Sequence, residues 1–172
     1  MSTLPSYTSG RAPLHVAFYR GFDHGNWLDR AIARHDCGPY SHVELVFGPR
    51  VRVGRARCFS SSYRDGGVRF KPIRLGGEAA RKWDLLLLTP PAAKVEALGR
   101  WCESKVGGKY DVPGVLAFKL PLVRERLNWW FCSEIVATGM RRLGHLPNER
   151  PASLSPNELY RVLRKEGRCL PA

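Results

Sequence analysis

The sequence predicts an α+β domain built on a small antiparallel sheet, for three reasons. Short β-forming runs fill the first half of the chain and helical periodicity fills the second, an order that segregates the two element types. No internal repeat and no composition shift divides the 172 residues, a length suited to one domain. With 44 % apolar and 10 % aromatic residues the chain has the material for a packed core, which excludes wholesale disorder. Residues 1–12, rich in Ser, Thr, Pro and Gly, are expected to form a flexible N-terminal segment ahead of a single domain over residues 13–172.

The elements follow in order. His15-Val16-Ala17-Phe18-Tyr19 reads as a strand ended by Arg20-Gly21. Asn26 is placed to cap a helix whose Trp27, Leu28, Ala31 and Ile32 share a face; it runs out near His35, and Gly38-Pro39 breaks the chain. His42-Val43-Glu44-Leu45-Val46-Phe47 is strongly β-forming, Gly48-Pro49 turns it, and a further strand is expected over residues 51–59. Asp65-Gly66 between strand-like flanks signals a hairpin. Residues 83–88, apolar except Asp84, read as a strand buried on both faces. After Thr89-Pro90-Pro91 the period changes, and Val95, Leu98, Cys102 and Val106 form a helical stripe that Gly107-Gly108 stops. A loose helical piece is expected near residues 115–120. A helix runs from Cys132 to Leu143 with Gly144 as its C-terminal cap. Ser155-Pro156-Asn157-Glu158 is a capping box with proline at the first helical position, opening a helix to about residue 165.

Composition narrows the function classes. Twenty-eight Lys and Arg against 15 Asp and Glu leave a formal charge of +13, suited to an anionic partner such as nucleic acid, a membrane surface or a cell-wall polymer. The longest aliphatic run, residues 85–88, is far short of the ~20 residues of a transmembrane helix. The N-terminus has no continuous apolar leader, so a cytoplasmic location is expected, with release on lysis as the other route to an outside target. Cys37, Cys58, Cys102, Cys132 and Cys169 form no CxxC pair, which indicates neither a disulfide framework nor a four-thiolate zinc site. His35-Asp36-Cys37 and His42 offer metal-ligand chemistry, but no second cluster completes a tetrahedron; no metal and no cofactor is expected. Arg50, Arg52, Arg55 and Arg57 alternate through a predicted strand region, and Arg141, Arg142, Arg161, Arg164, Lys165 and Arg168 add charge near the C-terminus. These, with Trp129-Trp130, would suit a nucleic-acid-binding module as well as a solvated surface.

Two short stretches carry candidate chemistry. A cysteine attacks as thiolate, and Cys132, in Phe131-Cys132-Ser133-Glu134, falls where a helix begins, beside unpaired N–H groups and the positive end of the helix dipole. Those N–H groups suit the oxyanion formed when a thiolate adds to an acyl carbon. His42 opens a strand and Glu44 follows two residues on, so both project from one face, where a carboxylate can fix the tautomer of an imidazole. The same residues admit plainer readings. Cys132 shares a stripe with Val136, Met140 and Leu143 and fits a core position, and His-x-Glu on a strand fits a solvated face. Ninety residues separate His42 from Cys132, a gap that only the fold closes.

In Tyr40-Ser41-His42-Val43-Glu44-Leu45, Gly108-Lys109-Tyr110-Asp111 and Phe131-Cys132-Ser133-Glu134-Ile135-Val136, taken in that order, the chain resembles the permuted branch of the NlpC-type papain-like superfamily, the YiiX/YaeF-like proteins related to lecithin retinol acyltransferase. Phe18-Tyr19-Arg20-Gly21 and Ser155-Pro156-Asn157-Glu158-Leu159 extend the likeness over residues 14–165. The resemblance implies a permuted papain-like fold, in which the histidine strand precedes the cysteine helix. It also implies a cysteine-dependent hydrolase or acyltransferase acting on an amide, ester or thioester. Cys132 would be the nucleophile, His42 the general base and acid, and Glu44 the orienting third residue. Tyr110 and Ser133 would serve the oxyanion or the substrate. Peptide, peptidoglycan-type amide and lipid ester are the implied substrates, and the charge of the chain suits an anionic polymer. A basic nucleic-acid-binding module and a catalytically silent papain-like interaction domain are the two rival readings.

Overall fold

The β-forming runs within residues 14–88 become five strands of one antiparallel sheet. The computed structural model describes residues 10–111 and 128–165, together with the backbone of 168–170. The helical piece expected near residues 115–120 lies outside the described residues. Strands β1 (Leu14–Tyr19), β2 (His42–Phe47), β3 (Ala56–Ser62), β4 (Gly67–Ile73), β5 (Trp83–Leu88) and β8 (Arg168–Leu170) form a six-stranded sheet in the order β4-β3-β2-β1-β5-β8, every pair antiparallel. β6 (Lys109–Tyr110) and β7 (Trp129–Trp130) make a separate two-stranded parallel pair. The helices are α1 (Gly21–His24), α2 (Trp27–His35), α3 (Ala92–Lys105), α4 (Cys132–Leu143) and α5 (Pro156–Leu163). The fold is thus α+β around an antiparallel sheet, as the patterns predict. Among the described residues no helix is long and apolar enough to cross a membrane.

The two faces of the sheet are covered differently. On one, Leu14, Val16, Phe18, Val43, Leu45 and Phe59 join Val95, Leu98 and Cys102 of α3 and Ile135, Val136 and Met140 of α4 in the main core. At ~25 cal/mol per Å² of apolar surface this burial is the dominant stabilising term. Gly139 of α4 lies against Leu45 and Leu98, so the helix approaches the sheet closely. On the other face a smaller cluster of Ala17, Val46, Cys58 and Leu85 is closed by Leu75, from the segment that crosses the sheet between β4 and β5. β5 is covered on both sides, as its apolar run requires.

Most boundaries follow their signals. Asn26 caps α2 through a bond from the Asp29 N–H (3.0 Å), and Ser155 caps α5 through one from Glu158 (3.1 Å), each cap contributing about 1 kcal/mol. Gly144 closes α4 at φ 96°, a left-handed conformation that costs a side-chain-bearing residue energy. Three expectations are corrected. The strand placed over residues 51–59 begins only at Ala56, because residues 51–54 form turns with Gly54 at φ 66°; of the four alternating arginines only Arg57 lies in a strand. The face of α2 that faces inward carries Asp29 and Ala33, and Trp27 stands 78 % exposed, since Asp29 is drawn in by Asn26 and Ser41. Val106 is exposed rather than part of the α3 stripe, because the helix ends one residue before it.

Candidate active site

β2 begins at His42 because the chain before it is clamped. Asn157, the second residue of α5, donates from Nδ2 to the Asp36 carboxylate (2.6 Å) and to the Tyr40 carbonyl (2.9 Å), and its Oδ1 accepts from the Tyr40 N–H (3.0 Å). Its backbone N–H adds a third donor to this contact by binding Asp36 (3.1 Å). A Cβ at Gly38 would lie 2.1 Å from Asn157 Oδ1, so only glycine lets the loop pass. Asp36 is thereby tied to Asn157, and among the described residues no group of three or more His, Cys, Asp or Glu is placed to hold a metal ion. Ser41 is fixed next, its hydroxyl donating to Asp29 (3.1 Å) and its N–H to the Tyr19 carbonyl (3.1 Å).

The fold closes the ninety-residue gap. Ser61, on β3, donates its hydroxyl to the Trp130 carbonyl (2.7 Å), tethering the chain two residues before Cys132 to the strand beside β2. Phe131 then caps α4, with its N–H reaching the Glu134 carboxylate (3.4 Å), and Cys132 is the first helical residue. The His42 ring lies between two partners: its Nε2 is 2.8 Å from Glu44 Oε1, and the Cys132 side chain is near enough to act on the imidazole. Burial alone would lower the imidazole pKa. The charge of Cys132 and its hydrogen bond, joined by Glu44, outweigh that and push His42 up to about 10. The N–H groups of the first turn of α4 have no acceptor within the helix. Ser133 is fully buried and its hydroxyl has no partner among the described residues.

The sequence reading missed the anchor behind Glu44. Glu44 is 0 % exposed, and a buried carboxylate needs a counter-charge. Arg69 of β4 supplies it through two parallel bonds, 2.6 Å to Oε1 and 2.9 Å to Oε2. The register shows how. β2 pairs Leu45 with Phe59, so one step further sets Glu44 opposite Ser60, and β3 pairs Ser60 with Arg69. Only a serine stands between them, and the guanidinium passes over it across two strand spacings, about 10 Å. Asp65 holds the other side of Arg69 (Nε to Oδ2 2.7 Å) and takes Lys71 as well (2.6 Å). Burial would raise both acids. The His42 and Arg69 bonds hold Glu44 below its ordinary value, and Lys71 and Arg69 bring Asp65 to about 2. Charge therefore alternates along Lys71, Asp65, Arg69, Glu44 and His42, ending at Cys132.

Tyr110 reaches the site through β6, whose pairing with β7 sets it beside Trp130, and its ring packs on Tyr63 (centroids 6.0 Å). Burial, with the charge of Cys132, raises its phenol above the ordinary value, so it is a hydrogen-bond donor at neutral pH. Tyr110, Ser41 and Ile32 line two adjoining spaces. One is an open cleft of about 500 Å³ along His42, Glu44 and Arg69. The other is a slot of about 10 Å³, the room of a single water, against Cys132 and Ser133. The five residues singled out in the sequence thus come together at one place. No protein-family model matches the chain, and no curated protein sequence does.

Proposed function

We propose that the protein is a thiol hydrolase or acyltransferase that opens an amide, ester or thioester through an acyl-enzyme on Cys132. The observation that carries this reading is the His42 ring held between a buried carboxylate and a sulfur at the start of a helix. In the first half-reaction His42 Nδ1 takes the thiol proton and the sulfur adds to the acyl carbon. N–H groups at the start of α4, with the Tyr110 hydroxyl, hold the oxyanion. Collapse breaks the bond to the leaving amine, alcohol or thiol, which takes the proton from His42. Water or another acceptor, deprotonated by His42, then attacks the acyl-sulfur bond and returns the proton to the thiol. Glu44 keeps Nε2 engaged throughout, and Arg69 keeps Glu44 in place. The order of a histidine strand ahead of a cysteine helix supports a permuted papain-like arrangement. No step here requires a metal or cofactor.

Cys132 is 4 % exposed and its slot is smaller than an acyl group, so substrate entry requires the slot to widen. The test is an intact-mass measurement after brief exposure to an acyl thioester. One acyl adduct on the wild-type chain, located at Cys132 and absent from Cys132→Ala and His42→Ala, is expected. Acylation spread equally over Cys37 and Cys132, or unchanged by His42→Ala, would refute the mechanism.

A further inference from the structure

Six cations line the open cleft, and they face three carboxylates. The carboxylates are all engaged: Asp29 with Arg64, Glu44 with Arg69, and Asp65 with Arg69 and Lys71. Arg55, Arg74 and Lys82 are left, with no carboxylate partner among the described residues. Concave walls of one sign focus the electrostatic potential, and a surplus of three positive charges favours an anion there.

This wall is fixed by the fold. Arg74 and Lys82 bracket the segment that crosses the sheet from β4 to β5. Leu75 anchors that segment in the smaller core, and a Cβ at Gly76 would lie 1.8 Å from the Arg52 carbonyl oxygen, so the backbones touch. The Lys82 carbonyl accepts from the Arg20 N–H (2.9 Å), pinning the other end. Arg74 and Lys82 also line the adjoining concavity of about 450 Å³, where Glu78 is the only acidic residue of the lining. Position relative to His42 follows from register. Lys82 precedes Trp83, and Trp83, Tyr19 and His42 stand opposite one another on β5, β1 and β2, so about 10 Å separates the Trp83 and His42 backbones, while Arg55 and Arg74 adjoin Ala56 and Ile73, paired at the other ends of β3 and β4.

We infer that Arg55, Arg74 and Lys82 form an anion subsite, in the cleft that His42 also lines, for a phosphate monoester carried by the acyl substrate. Two guanidinium forks and an ammonium suit a dianion with three terminal oxygens better than a carboxylate, which offers two. The link to an acyl substrate rests on the Cys132 reading above; the anion subsite itself does not.

Binding is measured by calorimetry on full-length Cys132→Ala, with phenyl phosphate, benzoate and benzyl alcohol at one salt concentration. Phenyl phosphate is expected to bind more tightly than benzoate, and benzyl alcohol not at all. Arg74→Gln/Lys82→Gln should weaken phosphate binding about tenfold or more. Arg141→Gln/Arg161→Gln, which removes two exposed cations of α4 and α5, should leave it unchanged. Equal losses in the two double variants would reduce the effect to net charge and overturn the subsite. So would binding to vesicles of phosphatidic acid without binding of phenyl phosphate. Should the first double variant not fold, Arg55→Gln and Lys82→Gln are read singly, and unchanged affinity in both overturns it. On the wild-type chain a 6-phosphooxyhexanoyl thioester should show a lower KM than its uncharged analogue, raised again by Lys82→Gln at similar kcat. An acyl adduct without phosphate binding defeats the subsite alone; phosphate binding without an adduct defeats the acyl-transfer reading alone.

Discussion

Replacing Arg69 by methionine removes both hydrogen bonds that the Glu44 carboxylate accepts from the guanidinium and leaves it with His42. The carboxylate is fully buried and Arg69 itself is mostly buried, so water cannot take over its two bonds. Charge-assisted bonds of this kind are worth about 1.5–3 kcal/mol each, and breaking one side of a buried ion pair costs about 3–5 kcal/mol. Arg69→Met should therefore lower the unfolding free energy by about 3–5 kcal/mol, roughly 10 °C or more in Tm for a chain of this size. Asp65→Asn is the control, because it removes a more exposed pair and should cost less than about 1 kcal/mol. The loss should also depend on pH. Glu44 has its folded pKa depressed, so it stabilises the native state above its unfolded value near 4.5 and loses that contribution as pH falls through the folded value. Without Arg69 the carboxyl protonates at a higher pH, so the difference between wild type and Arg69→Met is full at neutral pH and shrinks below pH 4.5. Urea titrations followed by circular dichroism at pH 7 and pH 4 read both effects. A cost under about 1 kcal/mol, or one equal at the two pH values, would refute the assignment of Arg69 as the counter-ion of Glu44.

Other perturbations test the same framework. His15 is buried beside Arg52, and burial, with that charge, lowers its pKa to about 4. Its contribution is therefore complete above pH 6.5 and lost as pH falls from 6.5 toward 4, by up to about 3 kcal/mol; His15→Leu should flatten the stability profile across that range in thermal melts. Asn157→Ala leaves Asp36 buried without its donors and should cost about 3 kcal/mol in urea titration, together with faster amide exchange at Tyr40. Gly38→Ala should destabilise the same loop, and combining it with Asn157→Ala should cost less than the two separate losses added, since the clash is with that side chain. His42 has a raised folded pKa, so it stabilises the fold fully below pH 6.5 and that contribution disappears as pH rises through about 10; the stability gap between wild type and His42→Gln should narrow above pH 9. Tyr110→Phe should leave the melting temperature within a few degrees and slow acyl-enzyme formation by one to two orders of magnitude, read by stopped-flow mass measurement.

The elements themselves were written locally. His42–Phe47, Trp83–Leu88 and Cys132–Leu143 coincide with their patterns to the residue, because alternation, a two-sided apolar run and a left-handed glycine cap are each local physical signals. So is the pairing of His42 with Glu44, which needs only the two-residue period of a strand. Strand boundaries were less legible where local signals competed: four alternating arginines over residues 50–57 suggest a strand, but the glycine turn at Gly54 wins. Tertiary structure alone decided the rest. Arg69 is 25 residues from Glu44, and nothing near either residue announces the partnership; it follows from the register of three strands and from the smallness of Ser60 between them. Asn157 belongs to a helix start whose capping box is legible, yet its grip on the loop before His42 spans 117 residues. The contact of His42 with Cys132 is of the same kind. Sequence patterns specify what each segment becomes, because backbone sterics and hydrophobic period act over a few residues. Which charges end up beside one another depends on chain closure over many, and the packed sheet sets that geometry.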